Sequence, residues 1–226
     1  MHLPTHPAGF AVGALTCTVA LLLASVAAAD DYTRRIRPKD QAAAKTAVLQ
    51  KSDFGSLTVT GGATKVPHTD EKLCAFFDPK ESDLVVTGEA MTVWQSPAFE
   101  IRSIVTLLAR PSMVTLDWKR SYVPETFVRC MREVIQTSLG SHGKVISAKR
   151  VSYPKIGDRI AGIRLVMDVK QTSGAKIRML LDALWVGQGR SEIVLMVTVP
   201  YAVRAEVKQT EVQLARLMAS RLSLSA

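Results

Sequence analysis

The chain contains no asparagine, and only three cysteines and four histidines in 226 residues. Without Asn there is no N-glycosylation sequon. His2 and His6 stand near the start, His68 follows Pro67, and His142 lies in Gly140-Ser141-His142-Gly143. His68 and His142, the two beyond the expected leader, have no neighbours at metal-ligand spacing, so no metal site is expected. Asp78, Glu81 and Asp83 lack the alternation around a glycine that a calcium loop needs. There is no G-x-S-x-G, G-x-G-x-x-G, Walker loop or H-E-x-x-H. Ser-x-x-Lys spacing occurs at Ser141/Lys144 and Ser173/Lys176, but in turn sequence rather than at helix starts. The reading is therefore non-enzymatic, without a cofactor. The alternative from another class is a hydrolase whose site is assembled in space, with a Ser or Cys meeting His68 or His142.

Residues 1–29 also lack Asp, Glu, Lys and Arg. An apolar run from Ala8 ends in Ala27-Ala28-Ala29 before Asp30-Asp31, the small-residue pattern that signal peptidase accepts. Cleavage after Ala29 is expected, leaving a single domain over residues 30–226, secreted or held in the periplasm or cell wall. The residues before Cys17 (Ala14, Leu15, Thr16) are in the wrong order for lipoprotein acylation, and apolar sequence continues after it. The same run is long enough to span a bilayer uncleaved, and Arg34, Arg35, Arg37 and Lys39 follow it. A single N-terminal anchor on a scaffold protein is thus the alternative topology. Removal of Cys17 leaves Cys74 and Cys130, and an exported chain with an even count is expected to join them. That bond would close a loop of about 57 residues and stabilise by roughly 4 kcal/mol.

Net charge is +9. It is uneven: residues 56–100 carry three basic and seven acidic groups, residues 101–150 nine and three. An exported basic protein meets anionic lipid or acidic wall polymers before nucleic acid, and the scarce, scattered aromatics offer no base-stacking platform. The expected partners are an anionic lipid, a wall glycopolymer or an envelope protein. Arg102, Arg129, Arg132, Arg164 and Arg178 are the expected contacts for such an anionic ligand. Trp94, Trp118 and Trp185 are core residues by default, and candidate pocket aromatics in the functional reading.

Periodicity supplies the fold. Pro38 opens a helix through "PKDQAAAKTAVLQK", and residues 57–83 read as irregular. "LVVTGEAMTVWQ" and "FEIRSIVTLLA" alternate around Ser96-Pro97 as a hairpin. "SMVTLDWKR" is ambiguous between helix and strand. From Pro124 to Leu139 the residues Phe127, Cys130, Met131, Val134 and Ile135 form one apolar stripe, which Gly140 stops. A meander follows over "KVISAKRVSY", "RIAGIRLVMDVKQ", "AKIRMLLDALWVG" and "SEIVLMVTV". The third of these is apolar on both faces, which calls for helices on both sides of the sheet. A last helix begins at Pro200 with a buried stripe of Val203, Val207, Leu214, Leu217 and Met218. The class is α+β: an antiparallel sheet of about six strands with a C-terminal meander, packed against three or more helices.

The run of "AVLQKSDFG", "DLVVTGEA", "IRSIVTLLA", "PETFVRCMREVI" and a late "GQGR" resembles actinobacterial secreted sensor-type domains. It is similar to the extracellular domain of mycobacterial-type Ser/Thr kinases and, more loosely, to the PsbP-like α+β fold. The resemblance covers roughly residues 40–220. It implies a disulfide-stabilised antiparallel sheet with a cleft and no catalytic residues.

Overall fold

Six long segments bounded by turns, alternating in the hairpin and apolar on both faces later in the meander, make six long strands, and a computed structural model shows how they pair. It describes residues 32–67, 74–171 and 173–225. The expected leader with Cys17 and Ala29, and His68, lie outside these residues. The hairpin is β3 (Val85–Ser96) and β4 (Phe99–Leu108); the meander is β5 (Gly143–Arg150), β6 (Arg159–Lys170), β7 (Lys176–Gln188) and β8 (Ser191–Pro200). Two short strands add to these, β1 (Thr33–Arg34) and β2 (Thr60–Thr64). The sheet therefore has eight strands rather than about six, in the order β1-β3-β4-β8-β7-β6-β5, with β2 also on β3. All pairings are antiparallel except β1 with β3.

The last two strands of the meander take the middle of the sheet, because β8 inserts beside β4. That explains their double apolar face. Leu180, Leu184, Ile193 and Leu195 belong to one core, beneath α1 (Pro38–Ala47) and α4 (Arg204–Ser225). Leu181 and Trp185 belong to the other, with Phe127, Met131 and Ile135 of α3 (Glu125–Leu139). The segment that sequence left ambiguous is helical: α2 (Pro111–Asp117) runs into one π turn, Trp118–Tyr122, which closes with Val123 N–H on Trp118 O at 3.2 Å. The result is an α+β fold with helices on both faces of one sheet.

Two boundaries differ from the sequence reading. The first helix stops at Ala47, short of Lys51. Val48 is extended because Leu49 finds better partners in the sheet: its N–H donates to Ser103 Oγ at 3.0 Å, and its carbonyl accepts from Trp94 Nε1 at 3.0 Å and Thr92 Oγ1 at 3.1 Å. A separate 3₁₀ turn, Lys51–Phe54, follows, with Gln50 N–H donating to Asp53 Oδ2 at 2.7 Å. At the other end Tyr201–Val203 is a 3₁₀ turn before α4, which leaves Val203 39% exposed instead of in the stripe.

Cys74 and Cys130 are joined by a disulfide, with Cα atoms 5.6 Å apart. Cys130 is on the buried face of α3, and Phe76, Phe77 and Val134 pack around the bridge.

Gly88 is needed at a close approach. The β3–β4 register shifts between Val86 and Gly88, and α1 lies directly over this point. A Cβ on Gly88 would stand 2.5 Å from the carbonyl of Asp40. Gly88→Ala must push α1 off the sheet, so it should cost about 1–3 kcal/mol, the range for overpacked cores. Urea unfolding gives the value; a change within about 0.5 kcal/mol would show that α1 does not rest on this strand.

Candidate functional site

Helix α1 covers β3 on one side, while β2 extends β3 outward as a ribbon that packs mainly on β3 alone. Between them lies a cleft of about 580 Å³. This is within the ordinary ligand-site range of roughly 300–1,000 Å³. Val48 and Gln50 form the α1 wall, Ala63 and Val66 the β2 wall, and Ala90 and Thr92 the floor. Register decides which side chains face in. Ala63 stands opposite Thr92, so both project from the α1 face of the sheet; Lys65, just past the strand, also lines the cleft. Lys45 and Lys65 line the two sides, both exposed. Glu89 contributes to the lining, but its side chain alternates to the other face, where Arg34 Nε is 3.6 Å away. The cleft is therefore apolar inside, with two cations at its rim.

The α1 wall is fixed at both ends. Arg190, in the β7–β8 turn, grips Asp40 with two bonds, Nη1 to Oδ2 at 2.9 Å and Nη2 to Oδ1 at 2.5 Å. Arg190 holds the Asp40 carboxyl below its ordinary range. Arg221 of α4 bonds Asp53 twice, at 2.9 and 2.6 Å, and reaches Val48 O at 3.2 Å. Gln41 of α1 exchanges two bonds with the Glu89 backbone, at 2.6 and 3.2 Å, standing in for a strand on the β3 edge between β1 and β2.

The five arginines of the sequence reading do not gather. Arg164 and Arg178 project from the α4 face of the meander, and both are matched by carboxylates: Arg164 with Asp182 at 2.8 Å, Arg178 with Asp168 at 2.7 Å. Arg102 projects from the opposite face, bonded to Glu100 at 2.7 Å. Arg129 and Arg132 are exposed on α3, and the Arg129 guanidinium lies 3.6 Å over the Phe76 ring. The tryptophans are also split between faces. Trp94 packs 5.7 Å from Phe54 in the α1/α4 core. Trp118 and Trp185 join Tyr122 and Phe127 in the α3 core, at centroid distances of 4.9–5.6 Å. All three are less than 9% exposed, and none lines the cleft. Cys74 and Cys130, being bonded to one another, offer no thiol nucleophile. His142 is exposed in the 3₁₀ turn after α3.

Sequence reasoning passed over two buried acid pairs, one on each face. On the α4 face, Asp182 of β7 and Glu211 of α4 are each 1% exposed. Arg164 chelates Asp182, and Tyr153 O–H donates to Glu211 Oε2 at 2.6 Å and lies 3.5 Å from Asp182 Oδ2. Burial first, then the Asp182 charge, pushes Glu211 up to about 8. At neutral pH Glu211 thus keeps its proton beside the Asp182 carboxylate. On the opposite face, Glu192 of β8 meets Asp117 of α2. Ser121 O–H donates to Asp117 Oδ1 at 2.6 Å and Tyr32 O–H to Oδ2 at 3.3 Å. Burial, reinforced by the neighbouring Asp117 carboxylate, raises Glu192 well above its ordinary value. The signal was present in the sequence: Glu211 sits four residues after Val207 and three before Leu214, within the apolar stripe, and Asp182 interrupts "MLLDALWV".

No protein-family model matches the sequence. A stretch of 95 residues is 32% identical to human heat shock 70 kDa protein 4L, covering 39% of this chain and 11% of that one. Over 96 residues it is 30% identical to heat shock 70 kDa protein 4 of Canis lupus familiaris, with the same coverage. The chain thus matches only about a tenth of these relatives' length. Among solved structures, an uncharacterised Mycobacterium smegmatis protein aligns over 78% of this chain and 98% of its own, at 13% identity and a TM-score of 0.39. A Pseudomonas aeruginosa protein of unknown function aligns over 69% and 94%, at 12% identity and a TM-score of 0.32.

The Glu211 proton makes stability depend on pH. The carboxyl is raised from an ordinary 4.5 to about 8, so its contribution is complete below about 4.5 and is lost as pH rises to about 8. Glu211→Gln cannot ionise. Its stability relative to the natural chain should improve by roughly 3 kcal/mol between pH 5 and pH 8.5. Denaturant unfolding at the two pH values measures this; an offset unchanged with pH would contradict it.

Proposed function

We propose that the chain is an exported, non-enzymatic binding module of the bacterial cell envelope, taking its ligand in the cleft between α1 and β2. The cleft carries the reading. It is an open, apolar-lined space with cations at its rim, built on a sheet whose other surfaces are largely filled by helices and ion pairs. The disulfide suits an oxidising compartment, and among the described residues no helix is long and apolar enough to cross a membrane. Cleavage after Ala29 and release from the membrane belong to the same proposal. So does the kinship with sensor-type extracellular domains, whose role is to hold a ligand outside the cell rather than to transform it.

Chemistry supports binding over catalysis here. The two buried carboxyl pairs look like acid–base machinery, but at 1–5% exposure for Asp182, Glu211 and Glu192 they sit beneath helices, where no substrate reaches them. Their work is structural.

Two measurements on protein secreted by an expressing bacterium test the proposal. Intact mass should show a chain beginning at Asp30 that gains about two mass units on reduction. Native mass spectrometry after incubation with an envelope extract should show a bound small molecule that Ala63→Trp, which fills the cleft from its exposed wall, abolishes. A chain still carrying its first 29 residues would contradict export by cleavage. An extract that leaves the mass unchanged would contradict the binding module.

A further inference from the structure

The cleft has a chemistry that narrows its ligand. Its interior is apolar on three sides: Val48 from the end of α1, Ala63 and Val66 from β2, and Ala90 from the floor. Two of the polar side chains that reach it are already engaged. Thr92 Oγ1 bonds Leu49 O and Ser103 Oγ, and Gln50 Nε2 bonds Lys45 O and Val48 O. Those two side chains therefore present little hydrogen-bonding capacity to a sugar or a peptide backbone lying within. Among the described residues of the lining, charge stands at the mouth, from Lys45 on one side and Lys65 on the other, both exposed. Glu89, the acidic residue among them, turns to the other face of β3 toward Arg34. Apolar depth with cations at the rim is the complement of a molecule with an apolar tail and an anionic head.

The β2 wall is suited to admit a chain. It is a five-residue ribbon, Thr-Gly-Gly-Ala-Thr, exposed along most of its length and held chiefly by its ladder to β3. Gly61 has φ +127° and passes so close to Val93 O that no side chain fits there. The ribbon thus lies flat against β3, with no bulky residue of its own between its walls and the cleft.

Resting on the binding-module reading, we infer that the ligand is a single-chain anionic amphiphile, its alkyl chain between α1 and β2 and its carboxylate or phosphate between Lys45 and Lys65. Fatty acids and lysophospholipids share this chemistry, and the two lysines serve either head.

Isothermal titration of the full exported protein with four probes below their micellar concentrations tests this: myristate, 1-myristoyl lysophosphatidate, neutral 1-myristoylglycerol, and glycerol 3-phosphate. Both anionic amphiphiles should bind one to one, the tighter of the two naming the source. The neutral analogue should bind about tenfold more weakly, as expected for losing two partly exposed charge pairs, and the bare head should not bind. Lys45→Gln/Lys65→Gln should bring the anionic probes down to the neutral one and leave the neutral one unchanged. Ala63→Trp, with its fold checked by circular dichroism, should remove all binding. Equal affinity for neutral and anionic chains, binding that survives Ala63→Trp, or no binding by either anionic probe would each overturn the inference. Binding to intact anionic vesicles that Ala63→Trp leaves unchanged would do the same, marking surface adsorption instead. These failures stay distinct from failure of the module reading, which turns on whether an envelope extract supplies any cleft-dependent ligand.

Discussion

Two buried carboxyls, Glu211 on α4 and Asp182 on β7, set the condition under which α4 packs on the sheet. A carboxylate pair in an apolar interior would repel with little water to screen it, so one partner must stay neutral. The arrangement makes that favourable. Arg164 neutralises Asp182, and Tyr153 donates to Glu211 while lying 3.5 Å from Asp182 Oδ2. With the proton present, α4 lies flat on the centre of the sheet. Docked α4 then holds α1 through their shared Ala-rich packing and through Arg221 on Asp53 and Val48. Val48 is a wall of the cleft. A line of direct contacts therefore runs from a buried proton to the mouth of the proposed binding site.

The opposite face repeats the device with Glu192 and Asp117 beneath α2. Both pairs lie on β7 and β8, the strands that the topology buries on two sides. Burying a polar group is costly unless it is hydrogen-bonded, and each pair sits where a helix meets the sheet: Tyr153 donates to Glu211 under α4, and Ser121 and Tyr32 donate to Asp117 beside Glu192. The ion pairs nearer the surface respond to pH in the other direction. Asp40, Asp83 and Asp168 are held below their ordinary range by Arg190, Arg120 and Arg178, so their contributions fade in acid. The buried glutamates fade in alkali.

Much of the fold was legible in the residues. Two-residue alternation located the hairpin and the strand "RIAGIRLVMDVKQ", the turns marked out the rest of the meander, and the double apolar face of "AKIRMLLDALWVG" foretold helices on both sides. Cys130 in the α3 stripe pointed to its union with Cys74. The short strands were not legible: β1 has two residues, and β2 is a Gly-Gly ribbon whose pairing comes from its neighbour rather than from its own propensity. The helix end at Ala47 was hidden for a similar reason, because Leu49 exchanges helix bonds for Ser103, Thr92 and Trp94, which are distant in sequence. The candidate site was the least visible. Charge counting singled out arginines, but most of those are spent on nearby carboxylates or on Phe76, while Lys45 and Lys65 come together only when β2 lies beside α1. The buried acids were visible as interruptions of apolar stripes, a signal that periodicity alone treats as noise.

The account makes α4, and through it the cleft, depend on the protonation of one side chain. The most direct measurement is a pH titration of the Glu211 side-chain carboxyl by carbon-13 NMR, assigned by comparison with Glu211→Gln. A midpoint near 8, with α1 and α4 amide signals shifting alongside it, is the predicted result. A midpoint near the ordinary 4.5, with those signals unmoved, would contradict the account.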